Sequence, residues 1–331
     1  MSSALASPAS RRGFLLVVLA AVCWGTAGFS GRIVAERAGL GPLDIAWHRM
    51  AIGAAVMLIG TAFSRRRTAP KVAVTRGTAV RLFVVGAGLG AYQLAYFAAV
   101  SLAGVSISTL VALGLAPLLI AVGGTVLGHG RPERATIVAL VVALVGLVLL
   151  VGVSAQADTG TTVLLGALLA VGSALGYALV TLAGGGIPAG IPVTLAGFVG
   201  GALLLTPVAL IAGLHFTTDP VSLALLLYLG AVPSALAYTF FFTGLRSVPG
   251  AVASIVTLME PLTATALSTA FLGERLAPVA LAGGLLVLAA VAGLYLRRLR
   301  ETGGSRTART AAWTPAVDAS GETSMASRAD A

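Results

Sequence analysis

Two ionisable side chains stand inside otherwise apolar stretches of this chain: Glu260, in Leu258-Met259-Glu260-Pro261-Leu262, and Arg49, in Ala46-Trp47-His48-Arg49-Met50. A carboxylate accepts hydrogen bonds from an ammonium group, and a guanidinium donates a paired fork to a carboxylate. Together they would hold the two ends of an amino acid or similar zwitterion. Alone, Glu260 would serve as the site of a coupling proton. A structural reading stands beside each: a carboxyl satisfied by neighbouring helices at the Pro261 break, and a scaffold cation bonded to helix ends. Trp24, Tyr92, Gln93, Tyr96 and Tyr238 place indole, amide and phenol groups in the middle of apolar stretches. Tyr92 and Tyr96, four residues apart, share one helix face. Buried groups of this kind need hydrogen-bond partners, and a wet cavity supplies them. They are therefore candidate walls of a substrate pathway, with plain packing as the alternative. Pro117, Pro233 and Pro261 are candidate helix breaks, and Pro207 also removes a backbone donor.

Other chemistries lack their residues. His48, His129 and His215 lie in three separate regions, Cys23 is the one cysteine, and no Gly-x-x-x-x-Gly-Lys-Ser/Thr loop occurs. Catalysis, a metal centre, a cofactor and ATP-driven transport are accordingly not expected. A channel's repeated filter or charged ring is likewise not apparent. A sensory or structural membrane protein remains the alternative to a transporter, and a membrane-embedded enzyme is a more distant one.

The elements that must position these residues follow from composition. With 58% hydrophobic and 10% charged residues, and a mean hydropathy of +1.01, the chain has too little polar surface for water. A span needs about 20 apolar residues to cross roughly 30 Å of hydrocarbon. Ten such stretches occur, at about 14–34, 43–63, 78–100, 104–127, 133–153, 161–183, 191–213, 221–243, 250–272 and 277–296. Unpaired backbone is not tolerated in lipid, so all are helices. Glu260 then lies about 15 Å from either end of its span, at the midplane. A charge there costs about 2.5–3.5 kcal/mol on insertion scales, so it faces a bundle interior or a cavity.

The segment Gly86–Arg131 reappears 144 residues later as Gly230–Arg275, pairing Phe97 with Phe241 and Pro117 with Pro261. Five spans precede the polar break 153–160 and five follow it. Five is odd, so the expected fold is an all-α integral membrane protein whose ten helices form two inverted five-helix repeats. The expected units are an N-terminal tail 1–12, repeats 13–153 and 161–297, and a disordered tail 300–331. Gly86 with Gly90 and Gly197 with Gly201 put small residues four apart, as close helix packing requires. The net charge of +10 gathers on one side: Arg11, Arg12, the cluster Arg65-Arg66-Arg67-Lys71, Arg131, Arg134, Arg246 and Arg297. This asymmetry points to the plasma (inner) membrane's positive-inside rule and puts both termini in the cytoplasm. It gives no reason to invoke nucleic acid.

The run Leu258-Met259-Glu260-Pro261-Leu262, followed by Phe271-Leu272-Gly273-Glu274-Arg275-Leu276, resembles the drug/metabolite transporter superfamily, specifically its EamA-like ten-helix family. Trp24-Gly25 and Arg49 match in the first half, where Leu115-Ala116-Pro117 occupies the place of the Glu-Pro pair. Ala116 and Gly130 stand where the second repeat has Glu260 and Glu274, so any carboxylate role is confined to the second half. The resemblance implies a secondary transporter that exports a small organic metabolite or drug by alternating access. Its partners are a small-molecule substrate and membrane lipid; coupled protons and a homodimer are open candidates.

Overall fold

A chain in hydrocarbon must satisfy its backbone within each segment, and the architecture follows from that demand. The computed structural model describes residues 8–64, 73–151, 161–272 and 277–311. Ten helices there are long and apolar enough to cross a membrane: α1 Arg11–Ala38, α2 Pro42–Phe63, α3 Arg76–Gly104, α4 Ile107–Val126, α5 Arg134–Val151, α6 Thr161–Gly185, α7 Val193–Ile211, α8 Pro220–Gly244, α9 Gly250–Phe271 and α10 Pro278–Arg297. The chain is thus an all-α, multi-pass membrane protein. Successive helices run in opposite directions, so α1 begins and α10 ends at one face, the near face, opposite the far face. Five helices lie on each side of residues 152–160, and the second five enter inverted.

The ends of the bundle carry two corrections. Helix α1 extends back to Pro8, a residue suited to a first helical turn, so the expected tail 1–12 is helical from residue 8. The last helix runs on to Ala311, so residues 300–311 of the expected disordered tail are helical. Extending an established helix costs little per residue. The cluster Arg65-Arg66-Arg67-Lys71, the break 153–160, Glu274, Arg275 and residues 312–331 lie outside the described residues.

Close packing rests on glycine. α7 crosses α3 where a Cβ on Gly200 would stand 2.8 Å from the Cα of Gly86, and one on Gly90 would stand 3.0 Å from the carbonyl oxygen of Gly201. α5 meets α10 with similar intimacy, a Cβ on Gly146 falling 2.7 Å from the Gly283 carbonyl oxygen. The outward faces of α5 and α6 carry exposed Val138, Val141, Leu164 and Leu168, an apolar surface suited to lipid. Inside, Trp24, Phe198, Tyr238, Phe241 and Phe242 form a buried aromatic core between α1, α7 and α8.

The described helices depart from regularity at three places, near the middle of the bundle or at its far end. α3 and α4 are joined at Gly104, whose φ of 76° and ψ of 166° turn the chain; a positive φ is readily adopted by glycine. α8 contains a π-helical turn over Gly230–Leu236 that includes Pro233. α9 is split into Gly250–Val256 and Met259–Leu272, with Pro261 in the first turn of the second piece. Pro117 breaks nothing: Gly104 is the one non-helical residue within the α3–α4 stretch, and α4 continues through the proline. Buried Ala116 and Ile120 flank it, and tight packing there holds helical geometry with one backbone bond forgone. α7 is likewise helical through Pro207.

Candidate functional site

The break in α9 brings a carboxylate to an open space. Leu258 N–H bonds to the Ile255 carbonyl at 3.1 Å and Glu260 N–H to that of Thr257 at 2.9 Å, three-residue closures in place of the four-residue ladder. Gly25 of α1 packs directly on this turn, where a Cβ would stand 2.7 Å from the Glu260 carbonyl oxygen. The Glu260 side chain faces a cavity of about 420 Å3 that extends toward the far face. Its carboxylate has no hydrogen-bond or ion-pair partner among the described residues.

Across the cavity stands Arg49, whose Nε donates to Ser234 Oγ at 3.4 Å. Ser234 in turn donates to the Leu229 carbonyl at 2.7 Å, five residues back, so the π-helical turn of α8 aims this hydroxyl at the arginine. No ion pair joins Arg49 to Glu260 or to another described residue.

All seven candidate pathway side chains, Glu260, Arg49, Trp24, Tyr92, Gln93, Tyr96 and Tyr238, line this one cavity. They come from five helices and from both halves of the chain. The Tyr92 and Tyr238 hydroxyls bond to each other, tying α3 to α8, and Tyr96 bonds Thr109 of α4 at 2.7 Å. The Trp24 ring lies 4.8 Å from that of Tyr238, and its indole nitrogen is buried with no hydrogen-bond partner among the described residues. Gln93 is buried within the wall. Arg32, Thr109, Ser173, Tyr177 and Thr257 also line the cavity and were not among the sequence candidates. Ser173 and Tyr177 left a trace: with Thr181 they form a polar stripe at four-residue spacing along an otherwise aliphatic helix.

A second cavity, of about 430 Å3, lies at the near face among the loops 127–133, 186–192 and 245–249. His129, Arg131, Glu133 and Arg297 border it, with Arg297 paired to Glu133 at 2.6 Å. The far face is tied by Arg37 to Asp219 at 3.3 Å and by Asp44, which accepts from His215 N–H at 3.1 Å. Among the described residues, no group of three or more His, Cys, Asp and Glu side chains is placed to hold a metal ion.

Comparisons with known proteins agree with one another. A family model described as the EamA-like transporter family matches residues 11–152 and again 164–296. A Bacillus subtilis (strain 168) protein named "Uncharacterized transporter YwfM" is 31% identical over 282 residues, covering 83% of this chain and 93% of its own length. A Salmonella typhimurium (strain LT2) protein named "Uncharacterized inner membrane transporter YicL" is 24% identical over 287 residues, covering 85% of this chain and 94% of its own. One solved crystal structure superposes with a TM-score of 0.74 at 20% identity, covering 87% of this chain and 98% of that one, a likeness of fold.

Proposed function

Because the chain belongs to the EamA-like transporter family, we propose that it is a secondary carrier that exports a small organic metabolite through the far-face cavity by alternating access. The observation that carries this reading is the Glu260 carboxylate, unpartnered among the described residues and set at the break of α9 in a cavity shared with Arg49. A charge held at membrane depth without a fixed partner is poorly explained by packing, since its desolvation is then uncompensated. A solute ammonium on Glu260 and a solute carboxylate on Arg49 would compensate both charges, which favours an amino acid or related zwitterion. The aromatic walls contribute apolar contact and cation–π attraction for the amine.

The two five-helix units, 13–153 and 161–297, rock against each other about this cavity, exposing it to each face in turn. The breaks in α8 and α9 supply local give. The near face, rich in arginine, is the cytoplasmic side, and the membrane is the plasma membrane. Glu260 also serves as the coupling proton site, so an imposed pH gradient accelerates transport; gradient-independent transport would overturn that assignment. Counterflow in liposomes with labelled amino acids, amines, sugars and nucleosides tests the carrier itself. Saturable exchange of at least one of these solutes is expected, and its absence across the panel with folded protein contradicts the reading.

A further inference from the structure

The two cavities share three helices. On α6, Tyr177 lines the far cavity and Thr181, one turn on, lines the near one; on α9, Thr257 and Val252 do the same, and on α4, Leu113 and Ile120. These separations of four, five and seven residues leave a layer only about 6–10 Å thick at 1.5 Å per residue. The layer is polar for an interior. Thr181 Oγ1 donates to the Tyr177 carbonyl at 2.9 Å, Ser254 Oγ to that of Ala251 at 2.9 Å, and Thr257 Oγ1 to that of Ser254 at 2.8 Å. Each hydroxyl is folded back on its own helix and keeps acceptor capacity toward the seam.

Tyr177 stands at the far-cavity edge of this layer. The Tyr177 ring sits between Tyr92, with centroids 5.8 Å apart, and Phe241, at 6.1 Å. Its hydroxyl is buried and makes no hydrogen bond of ordinary length among the described residues, with the Thr257 and Thr181 hydroxyls in looser reach. A phenol so placed gains a partner whenever water or a solute reaches the layer. Small residues occupy the same stretches of α4 and α9: Ala116 and Ala253 are buried alanines, and Gly250 lies where a Cβ would stand 3.2 Å from Ile120 and 3.6 Å from Thr181.

We infer that the near-face cavity is the other end of the same solute path, and that the Tyr177 ring is the barrier between the two ends. This rests on the far cavity being the solute site, but its test needs no substrate. Proteoliposomes carrying the full chain are loaded with radiolabelled sodium and chloride, and passive release is followed. Wild type and Tyr177→Phe should stay tight, while Tyr177→Ala should release both ions without saturation. Tyr177→Val carries the same expectation should the alanine variant fail to insert. Phe198→Ala removes an equally large buried ring that borders neither cavity, and it should stay tight.

Tight Tyr177→Ala and Tyr177→Val vesicles would overturn the barrier, as would equal leakage through Phe198→Ala. Tight Tyr177 variants alongside saturable counterflow in wild type would refute the barrier alone. A leaky Tyr177→Ala with no counterflow in wild type would instead refute the carrier and leave the path standing.

Discussion

Gly200 offers the sharpest test of the packing that holds the two halves together. It lies on α7 against Gly86 of α3, and a Cβ there would come within 2.8 Å of the Gly86 Cα and 3.2 Å of its carbonyl carbon. Ordinary carbon contacts sit at about 3.5–4.0 Å, so Gly200→Ala forces the helices apart by roughly 1 Å. Overpacking costs about 1–3 kcal/mol, and the obstructing atoms are backbone, which no rotamer change can move. Alanine recovers about 0.8–1.0 kcal/mol of helix propensity. The net loss is about 1 kcal/mol and at most about 2, roughly 5- to 30-fold in the folding equilibrium. Gly172→Ala on α6 is the control, because a Cβ there meets nothing within 4 Å; it should gain up to about 1 kcal/mol. Reversible unfolding in mixed micelles, titrated with sodium dodecyl sulfate, reads both variants. Gly200→Ala as stable as Gly172→Ala would refute the backbone-on-backbone crossing.

Two further expectations concern charge. Arg37 and then Ser222 hold the Asp219 carboxyl well below its usual range, at the N-cap of α8. A carboxyl depressed on folding contributes stability above its ordinary value of 3.8 and loses it as pH falls below that value. Asp219→Ala should therefore lower Tm at neutral pH by a deficit that shrinks on acidification, and a deficit that grows instead contradicts the assignment. Arg49→Gln removes a charged donor to a solute carboxylate, an interaction of about 1.5–3 kcal/mol, so half-saturation for carboxylate-bearing solutes should rise roughly 10- to 100-fold. Amines lacking a carboxylate should be unaffected, and equal weakening of both classes would argue against Arg49 as the carboxylate's partner.

The spans were legible because lipid imposes a length and a polarity that ordinary composition cannot imitate. Glycine spacing also carried through: Gly86, Gly90 and Gly201, singled out by four-residue intervals, meet at the α3–α7 crossing. The polar mid-span residues could be named from sequence because each is costly in hydrocarbon, but periodicity does not say which helix faces which. That Tyr92 would meet Tyr238 depends on tertiary packing between halves. The π-helical turn of α8 was hidden for the same reason: Gly230 is pressed against Ile52, a Cβ there standing 3.2 Å from the Gly53 nitrogen, and Ser234 closes on Leu229. Proline proved an ambiguous sign. Pro261 accompanies a break, Pro233 lies in a π-turn, and Pro117 sits in unbroken helix, because a lost donor matters only where the surroundings let the chain bend. Tyr177 was passed over since a lone tyrosine in a Leu/Ala/Gly helix reads as packing until its neighbours are known.

If the cavity around Glu260 is where a solute binds during transport, Glu260→Gln should disable exchange. The substitution keeps size and shape while removing the charge. Counterflow of the labelled panel should be saturable in wild type and lost in the variant, with membrane insertion and Tm retained. Unchanged exchange by Glu260→Gln would contradict the account and return this carboxylate to a structural role.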